Sequence, residues 1–391
     1  MHDVAITGIG AVSALGRGLA AHADALRSGR TFLTPLRLFS APGIPVALVG
    51  QVDDALLDPD QHGSRSDRLA LTALADALAG ARLKPTVPGV IAVGTTTGGI
   101  DLSERHYLKY RGLDGPEDRH LLRRHPAGAI ADRLARRFAL SGERHTFSTA
   151  CSSSANAIGY AASLVAAGAP WAIAGGFDAL CQLTYCGFYS LKLLSAAACK
   201  PFDRARVGMS LGEGAAFMVI ESGSGARARG ARPLAYLSGW GCTADAYHIT
   251  APNPEGRRAA GAIQAALADA QLAPEAVDYL NAHGTATPAN DQAESAAIRT
   301  VFSGPGPQMS STKGATGHTL GAAGALEAAI CALVLSGDFA PSTVGLTDPD
   351  PALDVNHVPT GGRRGVVRTA LSTSFGFGGN NAALVMTRGE A

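Results

Sequence analysis

Two stretches of this chain are apolar on every side of a helix. One is SANAIGYAASLVAAGA, at 154–169, and the other is LGAAGALEAAICALVLSG, at 320–337. A helix without a polar face has to be buried in the middle of a protein. The pattern predicts one such helix at 152–167 and another within 317–336. Amphipathic 3.6-residue periodicity predicts further helices at 66–80, 127–138, 257–270 and 290–301. Short apolar runs bounded by turn residues predict strands at 90–94, 171–174, 215–220, 277–284, 366–373 and 382–387. DVAITGIGAVSALG and PLAYLSGWGCTADAY each read as a buried strand entering a glycine-rich turn.

Strands and helices therefore alternate, as in an α/β protein. The order runs through twice, with a boundary at 232/233, so 1–232 and 233–391 are expected to be two related halves. Each half carries one all-apolar helix. Small residues would let the two pack closely between sheets, and a duplicated βαβ-type architecture follows. The first glycine turn approaches a dinucleotide fingerprint, with Gly8 and Gly10. Ser13 stands where the third glycine is needed, and no acidic residue follows a second strand at the required distance, so that reading is not carried further.

Composition narrows the functional classes. The 391 residues are 46% hydrophobic and 17% charged, which suits a well-cored protein and excludes general disorder. A net charge of +1 gives no electrostatic signature of nucleic-acid or membrane-surface binding. The six cysteines form no CxxC pair and no metal-ligand spacing with histidine, so neither a disulfide framework nor a metal site is expected. The N-terminus lacks the basic region of a signal peptide, and Glu327 interrupts the most apolar long segment. A cytoplasmic enzyme is the expectation. Lysine is scarce, at positions 84, 109, 192, 200 and 313, so each one draws attention.

Cys151, in STACSSS, sits where the first buried helix begins. A core thiol behaves as a small hydrophobe. At a helix start, however, unpaired N–H groups and the positive end of the dipole favour a thiolate. The local sequence leaves both readings open. Three other stretches bear on the choice. NAHGTATPANDQAE puts His283 just after a strand, SSTKGATGHTLGAAGALE puts Lys313 and His318 ahead of the second buried helix, and STSFGFGGNNAALVM forms a glycine-rich loop before the last strand. Singly, each suits a structural role. Together they set an ammonium and two imidazoles beside apolar segments, where unpaired polar groups cost several kcal/mol and must find partners in one another.

These motifs, with PFDRARVGMSLGEGAA and TADAYHIT, resemble the β-ketoacyl-acyl-carrier-protein synthases of the elongating, Cys-His-His type, over essentially the whole chain. The resemblance implies a thiolase-like, five-layered αβαβα fold of two pseudo-repeated halves. It implies decarboxylative Claisen condensation: an acyl group moves onto Cys151, malonyl-carrier protein loses CO2, and a β-ketoacyl product forms. Carried over by motif, Cys151 is the nucleophile, His283 and His318 are the two histidines, and Lys313 is the family's lysine, supported by Glu327. The backbone N–H groups of Cys151 and Phe377 form the oxyanion hole, and Thr285 and Thr287 bind the phosphopantetheine arm. Leu102, Ser103, Phe188, Phe375 and Phe377 are expected to line the acyl pocket, and Lys192 and Arg65 to dock the carrier. No metal or organic cofactor is implied, since substrates ride on the carrier's 4′-phosphopantetheine.

The partners implied are an acyl-carrier protein and a second chain. That chain would be another copy or a chain-length-factor-like homologue. Fatty-acid and specialised polyketide or polyene pathways both remain open. The alternatives are a biosynthetic thiolase, which needs a second cysteine in the loop that here reads FGFGGNN, and a catalytically weak partner subunit, which would lack Cys151. Initiating condensing enzymes have an Asn where His318 stands. A cysteine hydrolase or an inert scaffold completes the set.

Overall fold

The computed structural model describes residues 3–389, apart from 61, 62, 84, 114 and 117. The first half contributes the strands Val4–Ser13, Gly89–Gly94, Gly142–Phe147, Trp171–Asp178 and Gly214–Ser222. In space they lie third, second, fourth, fifth, first. The second half contributes Ala235–Ala244, Tyr279–Asn281, Gln308–Ser310, Thr369–Gly376 and Asn380–Arg388, in the same spatial order. In each unit the first three strands of that order pair in parallel and the rest antiparallel. The units meet where Ala5 and Ile6 pair with Tyr236 and Ala235.

The two all-apolar helices, Ser153–Ala166 and Ala323–Ser336, lie between the units. One core cluster holds Ile158, Ala161 and Val165 of the first and Ala325, Ala329 and Ile330 of the second, with strand residues of both halves such as Ala174, Met218, Leu384 and Met386. Helices Arg65–Ala81 and Ala127–Arg137 cover the outer face of the first unit. Helices Arg257–Ala270 and Pro288–Phe302 cover that of the second. The result is the five-layered αβαβα arrangement of two pseudo-repeated halves that the family resemblance implies.

Three expectations are corrected. Gly8 and Gly10 lie inside a continuous strand rather than in a turn, and so do Gly239 and Gly241. A Cβ at these positions would stand 2.2 and 1.9 Å from the carbonyl oxygens of Ala77 and Ala73, and 2.1 and 2.2 Å from those of Ala266 and Ala262. The glycines let a helix lie directly on the strand, in the same way in both halves. The second buried helix begins at Ala323, not near 317, because Gly317 and Leu320 take positive φ values of 73° and 53°. His318 is thereby left on extended backbone paired with Leu211. The strand Gly142–Phe147 escaped the hydrophobic pattern because GERHTF is the polar edge of its unit.

Candidate active site

Cys151 occupies a 3-10 turn, Ala150–Ser152, immediately before the buried helix Ser153–Ala166. Ala150 adopts φ of 52°, and the serines of STACSSS hold the turn in that shape. Ser153 Oγ donates to the Ala150 carbonyl at 2.5 Å and accepts from the Thr149 N–H at 2.9 Å, while Ser152 Oγ donates to the Thr149 carbonyl at 2.8 Å. The thiol is buried.

His318 Nε2 lies 2.9 Å from Cys151 Sγ. His283 follows the strand Tyr279–Asn281, and its ring stands 5.2 Å from that of His318, almost perpendicular to it. Lys313 is behind His283. Its ammonium donates to the His283 carbonyl at 2.5 Å, approaches His283 Nδ1 at 3.3 Å and pairs with Glu327. An ammonium has three donors and no acceptor, so those three partners use all of its hydrogens and make Nδ1 an acceptor. The ring proton of His283 must therefore sit on Nε2.

Burial, reinforced by the nearby Lys313 charge, holds both imidazoles well below the usual histidine range, so both are neutral at neutral pH. Burial also pushes the Glu327 carboxyl up to about 7, against the pull of Lys313. The Cys151 thiol is pushed up to about 11 by burial, although Lys313 and the Phe377 N–H, which donates to the sulfur, both pull it down. The helix start favours a thiolate, but burial outweighs it here. At rest the group is a thiol, with a neutral imidazole nitrogen at hydrogen-bond distance. Cys151, His283 and His318 present donor atoms within 4.8 Å of one another, the residue types of a soft-metal ligand set. The adjacent ammonium disfavours a dication there.

Phe377 begins the turn Phe377–Gly379, where Gly378 has φ of 78°. Asn380 donates to the Phe377 carbonyl at 2.8 Å, and the Gly378 N–H donates to the Ile249 carbonyl at 2.7 Å, so the loop is braced from two sides. Gly376 passes so close to the Cys151 turn that a Cβ there would lie 3.1 Å from the Cys151 nitrogen.

Cys151, the two histidines, Phe375 and Phe377 line a cavity of about 310 Å3, and Thr285, Thr287 and Phe188 line it as well. The two threonine hydroxyls are 2.9 Å apart. Lys192 is exposed at a positive φ of 58° just after the helix Gln182–Ser190, beside Leu191, which also lines the cavity. Leu102 and Ser103 do not line it. They lie on the helix Ile100–Tyr110, where Leu102 is buried and Ser103 Oγ meets His125 Nδ1 at 2.5 Å. Arg65 is not the free surface cation expected. It grips the buried Glu213 through two nitrogens, at 2.8 and 2.6 Å, and pairs with Asp54, leaving its side chain 12% exposed.

Sequence reasoning passed over Glu294. Its carboxylate accepts the N–H groups of His283 and Gly284 at 2.8 and 2.7 Å and the Thr373 hydroxyl at 2.7 Å, which fixes the His283 backbone. The signal was present in ANDQAE, where an acidic residue with no evident solvent-facing role stands eleven positions after the histidine.

Residues 1–226 match the family model described as Beta-ketoacyl synthase, N-terminal domain, and residues 234–347 the corresponding C-terminal domain. The chain is 36% identical over 409 residues to 3-oxoacyl-[acyl-carrier-protein] synthase 2 of Coxiella burnetii, covering 98% of each chain. It is 35% identical over 414 residues to putative polyketide beta-ketoacyl synthase 1 of Streptomyces cyaneus, covering 98% of this chain and 97% of that one. Its fold is similar to that of the ishigamide ketosynthase/chain length factor, with a TM-score of 0.93, 33% identity and 99% of each chain covered.

Proposed function

This chain belongs to the β-ketoacyl synthase family, and from that premise we propose how its site carries out decarboxylative condensation on acyl-carrier protein. The observation that carries the reading is the line from Cys151 Sγ to His318 Nε2, backed by His283 and the Lys313–Glu327 pair and met by the Phe377 N–H. The site lies in a cavity of a size for a thioester arm.

In the first half-reaction, Cys151 Sγ attacks the carbonyl of an acyl-carrier thioester. Its proton passes to His318 Nε2 and from there to the departing pantetheine sulfur, so no net charge is created. The Cys151 and Phe377 N–H groups receive the tetrahedral oxygen, and one such donor is worth about 3–4 kcal/mol. Thr285 and Thr287 hold the arm in the cavity.

In the second half-reaction, malonyl-carrier protein takes the vacated arm site. The bond from its α-carbon to the carboxylate breaks, CO2 leaves, and the electron pair becomes an enolate whose oxygen faces the imidazoles. His283 Nε2–H is already a donor, because Lys313 occupies Nδ1. His318 joins it once the sulfur carries an acyl group in place of hydrogen: its Nε2 no longer accepts a thiol proton, and the ring proton moves there from Nδ1, which has no hydrogen-bond partner among the described residues. The enolate carbon attacks the acyl-cysteine and expels the thiolate, which is protonated through His318 Nε2 by the one proton from solvent that the decarboxylative condensation consumes.

The carrier is acidic in the chemistry expected of its class, and Lys192 at the cavity rim is the cation proposed to meet it. The described flank of the strand Gly142–Phe147 pairs with no other strand on its outer side. We assign that edge to a second chain of the same fold in the cytoplasm, either a copy or a chain-length-factor-like homologue. Incubation with acyl- and then malonyl-carrier protein, followed by intact-protein mass spectrometry, tests the reaction. An acyl adduct that disappears as β-ketoacyl-carrier accumulates supports it. Release of free acid alone would identify a hydrolase instead.

A further inference from the structure

Behind the nucleophile lies a buried carboxylate that the mechanism above does not use. Asp178, the last residue of the strand Trp171–Asp178, is fully buried. Its Oδ1 accepts the Thr95 hydroxyl at 2.6 Å, the Thr97 N–H at 2.9 Å and the Thr97 hydroxyl at 2.8 Å. The Thr96 N–H reaches both oxygens, at 3.0 and 2.9 Å, and Oδ2 accepts the Gly321 N–H at 2.6 Å. Three of these donors are backbone groups that cannot turn round. The Thr95 hydroxyl is itself an acceptor for the Gly98 N–H, which leaves its hydrogen for Asp178. Burial pushes the carboxyl up, and the hydrogen bonds act against it.

What these partners are matters more than their number. Thr96 also donates its hydroxyl to the carbonyl of Ala150, the residue before Cys151, at 3.2 Å. Gly321 lies in the 3-10 turn Leu320–Ala322, three residues beyond His318. One carboxylate from the first half therefore ties the loop that buttresses the cysteine turn to the turn that follows the histidine, which belongs to the second half. The Ala325 N–H to Ser154 Oγ, at 2.9 Å, adds a link between the two helices one turn deeper. The short Sγ to Nε2 distance depends on the relative placement of two segments 167 positions apart in sequence.

We propose that Asp178 is a positioning residue that sets the alignment of Cys151 with His318 across the junction of the two halves. This deepens the functional reading above and rests on it. An asparagine cannot substitute fully. Its single carbonyl oxygen can serve the donors on one side, but its NH2 must then face at least one fixed backbone N–H.

The test is Asp178→Asn and Thr96→Val, with Thr96→Ser as the conservative variant. Single-turnover acylation of Cys151, kcat, and KM for carrier-bound substrates are measured alongside thermal melting. Displacement of a reacting pair by up to an ångström costs on the order of a hundredfold in rate. Asp178→Asn is expected to lower acylation and kcat by roughly ten- to a hundredfold with KM changed less than about twofold. Thr96→Val should give a smaller loss of the same kind, and Thr96→Ser should restore the wild-type rate. A folded Asp178→Asn protein whose kcat stays within about twofold of wild type, with only its melting temperature lowered, overturns the proposal. If Asp178→Asn does not fold, Thr96→Val decides, and a wild-type acylation rate there overturns it equally. Wild-type protein acylated somewhere other than Cys151 would instead count against the functional reading itself.

Discussion

Gly376 offers a sharp test of the two-amide oxyanion pocket. Its backbone is extended, at φ −110° and ψ 158°, so any residue can adopt the conformation, and alanine there introduces no torsional strain. The constraint is steric. An alanine Cβ would lie 2.9 Å from the Thr149 carbonyl oxygen, 3.1 Å from the Cys151 nitrogen and 3.2 Å from the Ala150 Cβ. None of these is the end of a flexible side chain that could swing aside. Ordinary contact requires the Phe377 loop to retreat by about 0.3–0.5 Å from the cysteine turn. An oxyanion donor is worth about 3–4 kcal/mol, and losing half of one through misalignment costs about 1.5–2 kcal/mol. At 1.36 kcal/mol per decade, kcat should fall about ten- to thirtyfold. The stability cost of such overpacking is about 1–3 kcal/mol. The assay is single-turnover acylation of Cys151 with acyl-carrier protein, read by intact mass, with a thermal melt on the same sample. KM should hold, because the arm site is untouched. Acylation within twofold of wild type would refute the reasoning, since it would mean that the loop has slack or that its amide is not used.

Replacing Cys151 with Ala should abolish both the acyl adduct and condensation, and peptide mapping of the wild type should find no acyl group on Cys181, Cys186, Cys199, Cys242 or Cys331. His283→Ala should acylate at nearly the wild-type rate but decarboxylate malonyl-carrier slowly, whereas His318→Ala should be slow in both steps because its Nε2 meets the thiol; normal decarboxylation with failed acylation in either variant would sink this division of labour. With the thiol pushed up to about 11, alkylation of Cys151 by iodoacetamide should rise about tenfold per pH unit from pH 7 towards 10, since the thiolate fraction grows so below the pKa; a plateau by pH 8 would contradict it. Lys192→Glu should raise KM for carrier-bound substrates, spare a small soluble thioester and lose its effect as salt screens the charge, whereas Arg65→Ala should instead destabilise the fold by about 3–5 kcal/mol through the stranded Glu213 carboxylate, a difference that a denaturant titration resolves.

Much of this protein could be read along the chain because its signals are local. The two helices without a polar face had to be central, and they are. Strands such as Gly214–Ser222 are continuous apolar runs because both of their faces are covered. The chemistry-bearing residues were also visible, since Cys151, His283, Lys313 and His318 stand beside apolar segments in distinctive glycine- and serine-rich contexts. Other features depended on contacts between distant segments. Gly8 and Gly239 carry the same local signal as a turn glycine, and only the helix lying against them shows that they serve close approach. Arg65 resembles a surface cation until Glu213, 148 positions away, is brought to it, and Leu102 resembles a pocket residue until it is found buried on its helix and absent from the lining of the cavity beside Cys151. The thiol's protonation state was not legible either, because a helix start favours the thiolate while burial, a property of the whole fold, opposes it more strongly. Asp178 gave no sequence signal of its role, and Glu294 only its place in ANDQAE, because a carboxylate's meaning lies in the donors that the fold delivers to it.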